Sequence, residues 1–202
     1  MKTNTSVIAG KMTQLPKASD LVKAVPLPEL QKWGTGEGEI VNPFDLSFTW
    51  KVKGADTGFV FAVYEMTIKP KAKIPLHIHP YAEFFYVLEG QVHVMGIDAA
   101  GALTWTPVSA GECANAPANA PHGIENRSTQ LAKFLSVSNF EHEKPFNDYQ
   151  MLLKTPEGQS MSEDEKSDAI MEIFAGYKIT FLDASEAENA HCDKKGPVKN
   201  CD

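Results

Sequence analysis

Cysteine is scarce in this chain, with three in 202 residues. Three are too few for a disulfide framework at this length. Cys192 and Cys201 lie in the polar tail, residues 191–202, and read as two free thiols. The Gly196-Pro197 turn between them leaves a disulfide as the alternative. The tail lacks the paired Cys/His spacing of a zinc site. No uncharged apolar run approaches the roughly 18 residues of a membrane helix, so a membrane span is excluded. Positive charge is in the minority, 19 Lys+Arg against 26 Asp+Glu, for a net charge of −7. An acidic chain without a basic stripe is a poor nucleic-acid binder. Residues 1–10 contain no apolar core of a secretory signal, so the expected location is cytoplasmic. There is no repeat of fixed period, and no helix-turn-helix pattern precedes the central region.

What is present is ordinary for a globular protein: 43% hydrophobic and 22% charged residues. The length predicts one domain with additional arms. Residues 1–43, with Pro16, Pro26 and Pro28 and the Gly34/Gly36/Gly38 run, read as an N-terminal arm, with a short helix capped by Ser19. From residue 44 the pattern takes a period of two. Leu46, Phe48, Trp50 and Val52 alternate with Ser47, Thr49 and Lys51. Further strand-like runs occupy 59–68, 74–79, 82–89, 91–97, 103–108 and 131–138. Turn signals separate them at Gly54, Pro70, Pro80, Gly90, Gly101 and Gly111. Many short strands at close spacing predict an all-β sandwich or barrel over 44–140. Residues 141–202 read as a C-terminal extension with one helix over 163–174. Ser162 and Glu165 form its capping box, and Gly176 stops it. Tyr177–Leu182 is a candidate last strand.

The chemistry concentrates in the six histidines. His77 and His79 lie two apart on a predicted strand, so both imidazoles face one side. Glu83 follows past the Pro80-Tyr81 turn and opens the next strand, which brings it back beside them. Three such groups buried without partners would each cost about 1–3 kcal/mol. A metal ion removes that cost, so the trio reads as a metal site lacking one ligand. His122, after the turn-rich Pro117–Pro121 segment, is the candidate fourth. Asn119 in that turn tolerates a left-handed backbone. His93, His142 and His191 read as non-ligands. His93 lies on a strand face shared with Met95 and Ile97 and reads as a partly buried, hydrogen-bonded residue.

Two stretches resemble the paired motifs of the cupin superfamily. One is His77-x-His79-x-x-x-Glu83-x-x-x-x-x-x-Gly90. The other is Gly111-x-x-x-x-x-Pro117-x-Asn119-x-x-His122-x-x-x-Asn126. The leading Gly of the first motif would fall near Lys71, and the second motif has Asn119 in place of a Gly; neither departure touches a ligand. The resemblance implies a single-domain jelly-roll barrel with one divalent transition metal (Ni, Mn, Fe, Co or Cu) held by His77, His79, Glu83 and His122. The aromatic neighbourhood of Phe59, Phe61, Tyr64, Phe84, Phe85, Tyr86 and Phe134 suits a flat, hydrophobic substrate. The single barrel, the arm before it and the helix after it are similar to bacterial quercetinase-like monocupins. That likeness implies a flavonol 2,4-dioxygenase using O2. Glu83 would then serve as both ligand and base, and carbon monoxide would be released. A non-redox metal enzyme (an isomerase or lyase) and a non-catalytic small-molecule binder are the alternatives, because cupins host many chemistries. Exposed sheet edges lead us to expect a homodimer.

Overall fold

A computed structural model describes residues 30–42 and 46–183. The expected Ser19 helix, His191 and the Cys192/Cys201 pair lie outside the described residues. The chain divides into two units, Met1–Trp33 and Gly34–Asp202. Of the first, residues 30–33 are described and carry no regular structure.

Among its described residues, the second unit contains eleven strands: β1 (Glu39–Val41), β2 (Ser47–Val52), β3 (Phe61–Ile68), β4 (Lys73–Ile78), β5 (Glu83–Glu89), β6 (Gln91–Ile97), β7 (Leu103–Ser109), β8 (Cys113–Ala116), β9 (His122–Glu125), β10 (Ala132–Asn139) and β11 (Thr180–Phe181). They form two antiparallel sheets, ordered β1-β2-β3-β10-β5-β8 and β11-β4-β9-β6-β7. This two-sheet antiparallel arrangement is the expected jelly-roll. The alternation in β5 shows why the sequence folds this way. Glu83, Phe85 and Val87 are buried, while Phe84 and Tyr86 face outward. In β3, Ala62, Tyr64, Met66 and Ile68 likewise point into the core. Phe48, Trp50, Tyr64 and Phe146 interlock, edge-on except for the tilted Phe48–Tyr64 pair, with ring centroids 4.8–6.3 Å apart. Such geometry adds about 0.5–1.5 kcal/mol per pair beyond the area buried.

The C-terminal extension corrects the sequence reading. Its described residues contain three α-helices, not one: α1 (Glu143–Lys154), α2 (Pro156–Ser160) and α3 (Glu163–Gly176). The Ser162/Glu165 capping box is present at the start of α3. The left-handed residue after α3 is Lys178, not Gly176. Pro145 sits in the first turn of α1, where its missing N–H costs little. Asn147 and Asp148 are weak helix formers. Burial of Phe146 and Tyr149, three residues apart on one face, compensates for this and fixes the helix against the barrel. No described helix is long and apolar enough to cross a membrane.

Candidate metal centre

His77 stands on β4, His79 just past its end, Glu83 at the start of β5 and His122 at the start of β9. All four are buried. Their ligand atoms lie within 4.8 Å of one another, so the structure brings together the complete set expected from the sequence.

Two features of the backbone aim these side chains. Opposite β9, strand β4 carries a bulge. Ile74 pairs with Ile124 and His77 with His122, so β4 spends one extra residue over the same span. Without the bulge, Ile74 and His77 would face opposite sides; with it, both face the cavity. Pro75 falls within the bulge, where its missing N–H breaks no ladder bond. The bulge presses on the neighbouring strand at Gly123. A Cβ there would lie 2.8 Å from the Ile74 carbonyl oxygen and 2.5 Å from Met95 Cε. Gly123, directly after the ligand His122, is therefore fixed by close backbone approach.

The turns also obey the motif. Lys71 and Asn119, the two positions where the cupin pattern would have Gly, have φ of 65° and 63°. Both residues adopt the left-handed conformation that a Gly would take at less cost. The Asn119 amide donates to the His79 carbonyl at 2.9 Å, and the Lys71 amide donates to the Asn126 carbonyl at 2.8 Å. The two motifs are thus tied together through their turns.

The hydrogen bonds settle the tautomers. The Nδ1 atoms of His77, His79 and His122 lie 2.9, 2.8 and 2.9 Å from the carbonyl oxygens of Pro75, Tyr81 and Ala120. A carbonyl can only accept, so each Nδ1 carries a proton, and the Nε2 lone pairs are turned toward the cluster. Glu83 completes the set with its carboxylate divided between two tasks. Oε1 accepts from the Tyr64 hydroxyl at 2.8 Å and from Ser136 Oγ at 2.5 Å. Oε2 faces His79 Nε2 at 3.3 Å and His122 Nε2 at 3.4 Å.

Electrostatics favour a cation here. Burial pushes the Glu83 carboxyl up, but His142, His122 and His79 outweigh it and hold it well below the usual carboxylate range. Burial, with His122 close by, lowers His77 to about 3. Burial also lowers His122, but the Glu83 hydrogen bond and charge outweigh it and leave His122 raised. An ionised carboxylate and three imidazole nitrogens in one buried spot match the donor preferences of a divalent transition metal. This set fits the metal that the motif implies.

His77, Glu83 and His122 open into a cavity of about 650 Å³, counting its open mouth. Apart from Tyr64 and His142, its other walls are apolar. They include Phe48, Met66, Phe85 and Ile124 from the barrel, and Phe146, Phe174, Ile179 and Phe181 from the C-terminal extension. Phe181 pairs with His77 across β11 and β4, with ring centroids 5.7 Å apart. Of the aromatic residues expected around the site, Tyr64 and Phe85 line the cavity. Phe134 is core, and Phe59, Phe61, Phe84 and Tyr86 are exposed, the last two because alternation turns them outward.

Sequence reasoning missed four groups at this site. Tyr64 was read only as an aromatic neighbour and Ser136 not at all; a buried hydroxyl residue on a strand carries no local signal of its partner. Tyr81 stacks on His79, with centroids 4.1 Å apart. His142, read as an unremarkable histidine, is buried and lines the cavity. Its ring stacks on Tyr64, and its Nδ1 lies 3.1 Å from the Tyr81 hydroxyl. His93 is half-buried as expected, but its Nδ1 has no hydrogen-bond partner among the described residues.

The structure thus sets a three-histidine, one-carboxylate cluster that could hold a metal ion inside a two-sheet jelly-roll. Residues 64–138 match the family model of the cupin domain. No curated protein sequence matches the chain. Among solved structures, the chain is similar to the polyketide cyclase RemF of Streptomyces resistomycificus. The two are 21% identical over 65% of this chain and 98% of that one, with a TM-score of 0.49. A sugar phosphate isomerase of the cupin superfamily from Silicibacter pomeroyi is 30% identical over 46% of this chain and 59% of its own, with a TM-score of 0.39. A mutant of Bacillus subtilis oxalate decarboxylase is 22% identical over 56% of this chain, with a TM-score of 0.46; this chain spans 30% of the decarboxylase. These names describe three different reactions, each said of its own protein.

Proposed function

We propose that the protein is a metal-dependent dioxygenase that opens the ring of a flavonol such as quercetin. One observation carries this reading: the His77, His79, Glu83 and His122 cluster opens into a cavity walled almost wholly by aromatic and aliphatic side chains. Such walls favour a flat, apolar ligand over a sugar or a small diacid. A bound divalent transition metal supplies Lewis-acid binding of an acidic hydroxyl and a redox centre for O2. Both atoms of O2 enter the opened product, and C3 of the flavonol leaves as carbon monoxide.

The chain's own groups prepare the substrate. The apolar walls exclude water and hold the rings. Glu83 is the proposed acceptor of the hydroxyl proton, and only Oε2 is available for it, because Oε1 is engaged by Tyr64 and Ser136. A carboxylate held well below its usual range is a weak resting base. Its contribution therefore depends on the rise in acidity of a hydroxyl bound beside a cation. The working form is proposed to be a homodimer joined through exposed strand edges, a reading that a monomer in light scattering would oppose.

The test is oxygen uptake with carbon monoxide release when quercetin is added to protein loaded in turn with Fe, Mn, Ni, Co or Cu. Glu83→Gln should then lose about 10²–10⁴-fold in turnover per bound metal. Unchanged turnover per metal removes Glu83 from the chemistry. Absence of oxygen uptake with every flavonol and every metal leaves the non-redox enzyme or the binding module.

A further inference from the structure

His142 is outside the metal-ligand set, yet it is buried against it. It sits at the end of a one-turn helix, Phe140–His142, that joins β10 to α1. Three neighbours fix its ring. Tyr64 stacks on it with centroids 5.7 Å apart and 12° between planes. Phe146 packs 5.5 Å away, and the Tyr81 hydroxyl meets Nδ1 at 3.1 Å. Nε2 lies 4.0 Å from Glu83 Oε1, beyond hydrogen-bond range, and makes no hydrogen bond among the described residues.

The tautomer follows from the two ends of the ring. A bare lone pair on Nε2 would point at the negative Oε1, which is repulsive, whereas an N–H there is attracted. With the proton on Nε2, Nδ1 accepts from the Tyr81 hydroxyl, whose donor then has its partner. Nε2–H is then a donor in an apolar cavity, rigidly held and without an acceptor of its own. A fixed donor that faces the cavity and has no acceptor among the described protein groups is placed to meet a ligand oxygen.

We propose that His142 is the second anchor of the cavity, its Nε2–H binding an oxygen adjacent to the oxygen held by the metal. The ligand class follows: molecules bearing two oxygens on neighbouring atoms, one of them acidic. An α-hydroxyketone such as a flavonol meets this description, and so does a hydroxamate. The inference rests on the metal-site reading and does not require that the ligand be a flavonol.

The experiment uses full-length protein loaded with Co(II) or Ni(II) and kept free of O2, with ligand binding followed by absorbance. Two-oxygen probes are 3-hydroxyflavone and acetohydroxamate; azide is the one-point comparator. His142→Phe keeps the ring packing and removes the donor, and His142→Gln restores an N–H. Leaving the second, desolvated oxygen of the ligand without its donor should weaken both two-oxygen probes about 10- to 100-fold in His142→Phe. His142→Gln should recover much of this, and azide should be unaffected. Tyr81→Phe is an independent variant that leaves His142 in place; it frees Nδ1, lets the proton redistribute and should give a smaller loss. Nitrogen-15 spectra of labelled histidine should also show His142 protonated at Nε2.

Unchanged two-oxygen affinity in metal-loaded His142→Phe overturns the inference. So does an equal loss for azide, which would place His142's effect on the metal itself. Failure of both two-oxygen probes to bind the wild type overturns it as well. A wild type that binds acetohydroxamate but not 3-hydroxyflavone, with the loss in His142→Phe intact, refutes the flavonol proposal and supports this one.

Discussion

Replacing the two hydroxyls behind Glu83 tests whether the metal site is held by its surroundings as well as by its ligands. The perturbations are Tyr64→Phe, Ser136→Ala and the double variant. Both hydroxyls donate to Oε1, at 2.8 and 2.5 Å, and both are buried. A hydrogen bond to a charged group contributes about 1.5–3 kcal/mol. Loss of such an outer partner typically lowers metal affinity 10–100-fold. Either hydroxyl alone still restrains the carboxylate, so each single change should lie near the lower figure. The double variant leaves Oε1 without a donor and free to rotate toward the histidines. Its loss should exceed the sum of the single losses, as expected for residues sharing one partner. Metal affinity is read by competition with a chelator, with thermal melting as the control for folding. His79→Ala is the reference for outright ligand loss and should abolish stoichiometric metal binding in elemental analysis. The reasoning is refuted if the double variant binds metal within about twofold of wild type, or if His79→Ala retains full occupancy.

Two further outcomes are expected. Metal-free protein should lose stability as the pH falls below about 6.5. His77 and His142 are lowered by burial to about 3 and about 4, so the unfolded chain binds their protons first and gains from acid. Each contributes a slope of about 1.4 kcal/mol per pH unit between its unfolded and folded values. His122, raised by Glu83, acts with the opposite sign. Denaturant melts at pH 7, 6 and 5 check this; stability that is flat or rises toward pH 5 contradicts it. Phe174→Ala should cost about 3–5 kcal/mol and enlarge the cavity. If Phe174 walls the ligand space, affinity for an unsubstituted flavonol should fall more than affinity for a bulkier one; equal loss for both would place Phe174 in the core alone.

The barrel and its ligands were legible because they obey local rules. Alternation marked β3, β5, β6 and β10 almost to the residue, and the two-residue spacing of His77 and His79 gave a shared face. Asn119 was readable as a left-handed residue from its side chain alone. Other features depend on contacts distant in sequence. The bulge in β4 is visible only in its pairing with β9, and the requirement for Gly123 follows from that bulge. The short strands β1 and β8 lack a run long enough for period two to show. Helix α1 was hidden by Pro145, Asn147 and Asp148, whose low propensity is overridden by tertiary burial. His142 reads as a non-ligand because a single histidine is more often a hydrogen-bonded or exposed residue; the chain returns it to Glu83 only after β10 has crossed the sheet.

The cavity has two origins in the chain. All four ligands and the hydroxyls of Tyr64 and Ser136 lie within residues 64–138, the span that matches the cupin domain. His142, Phe146, Phe174, Ile179 and Phe181 all lie beyond it, yet they form one side of the same cavity. The extension is tied down where it matters. β11 pairs with β4 so that Phe181 faces His77, and the Leu182 amide donates to the Leu76 carbonyl at 2.9 Å. Phe174 of α3 stacks on Phe181 with 13° between rings, so the helix and the last strand form one continuous wall. The ligand set can therefore remain constant while residues outside the barrel reshape the space above it. On this division, the barrel supplies the donor set that could hold a metal. The extension supplies one wall of the space in front of it, and His142, at the junction of the two, touches both.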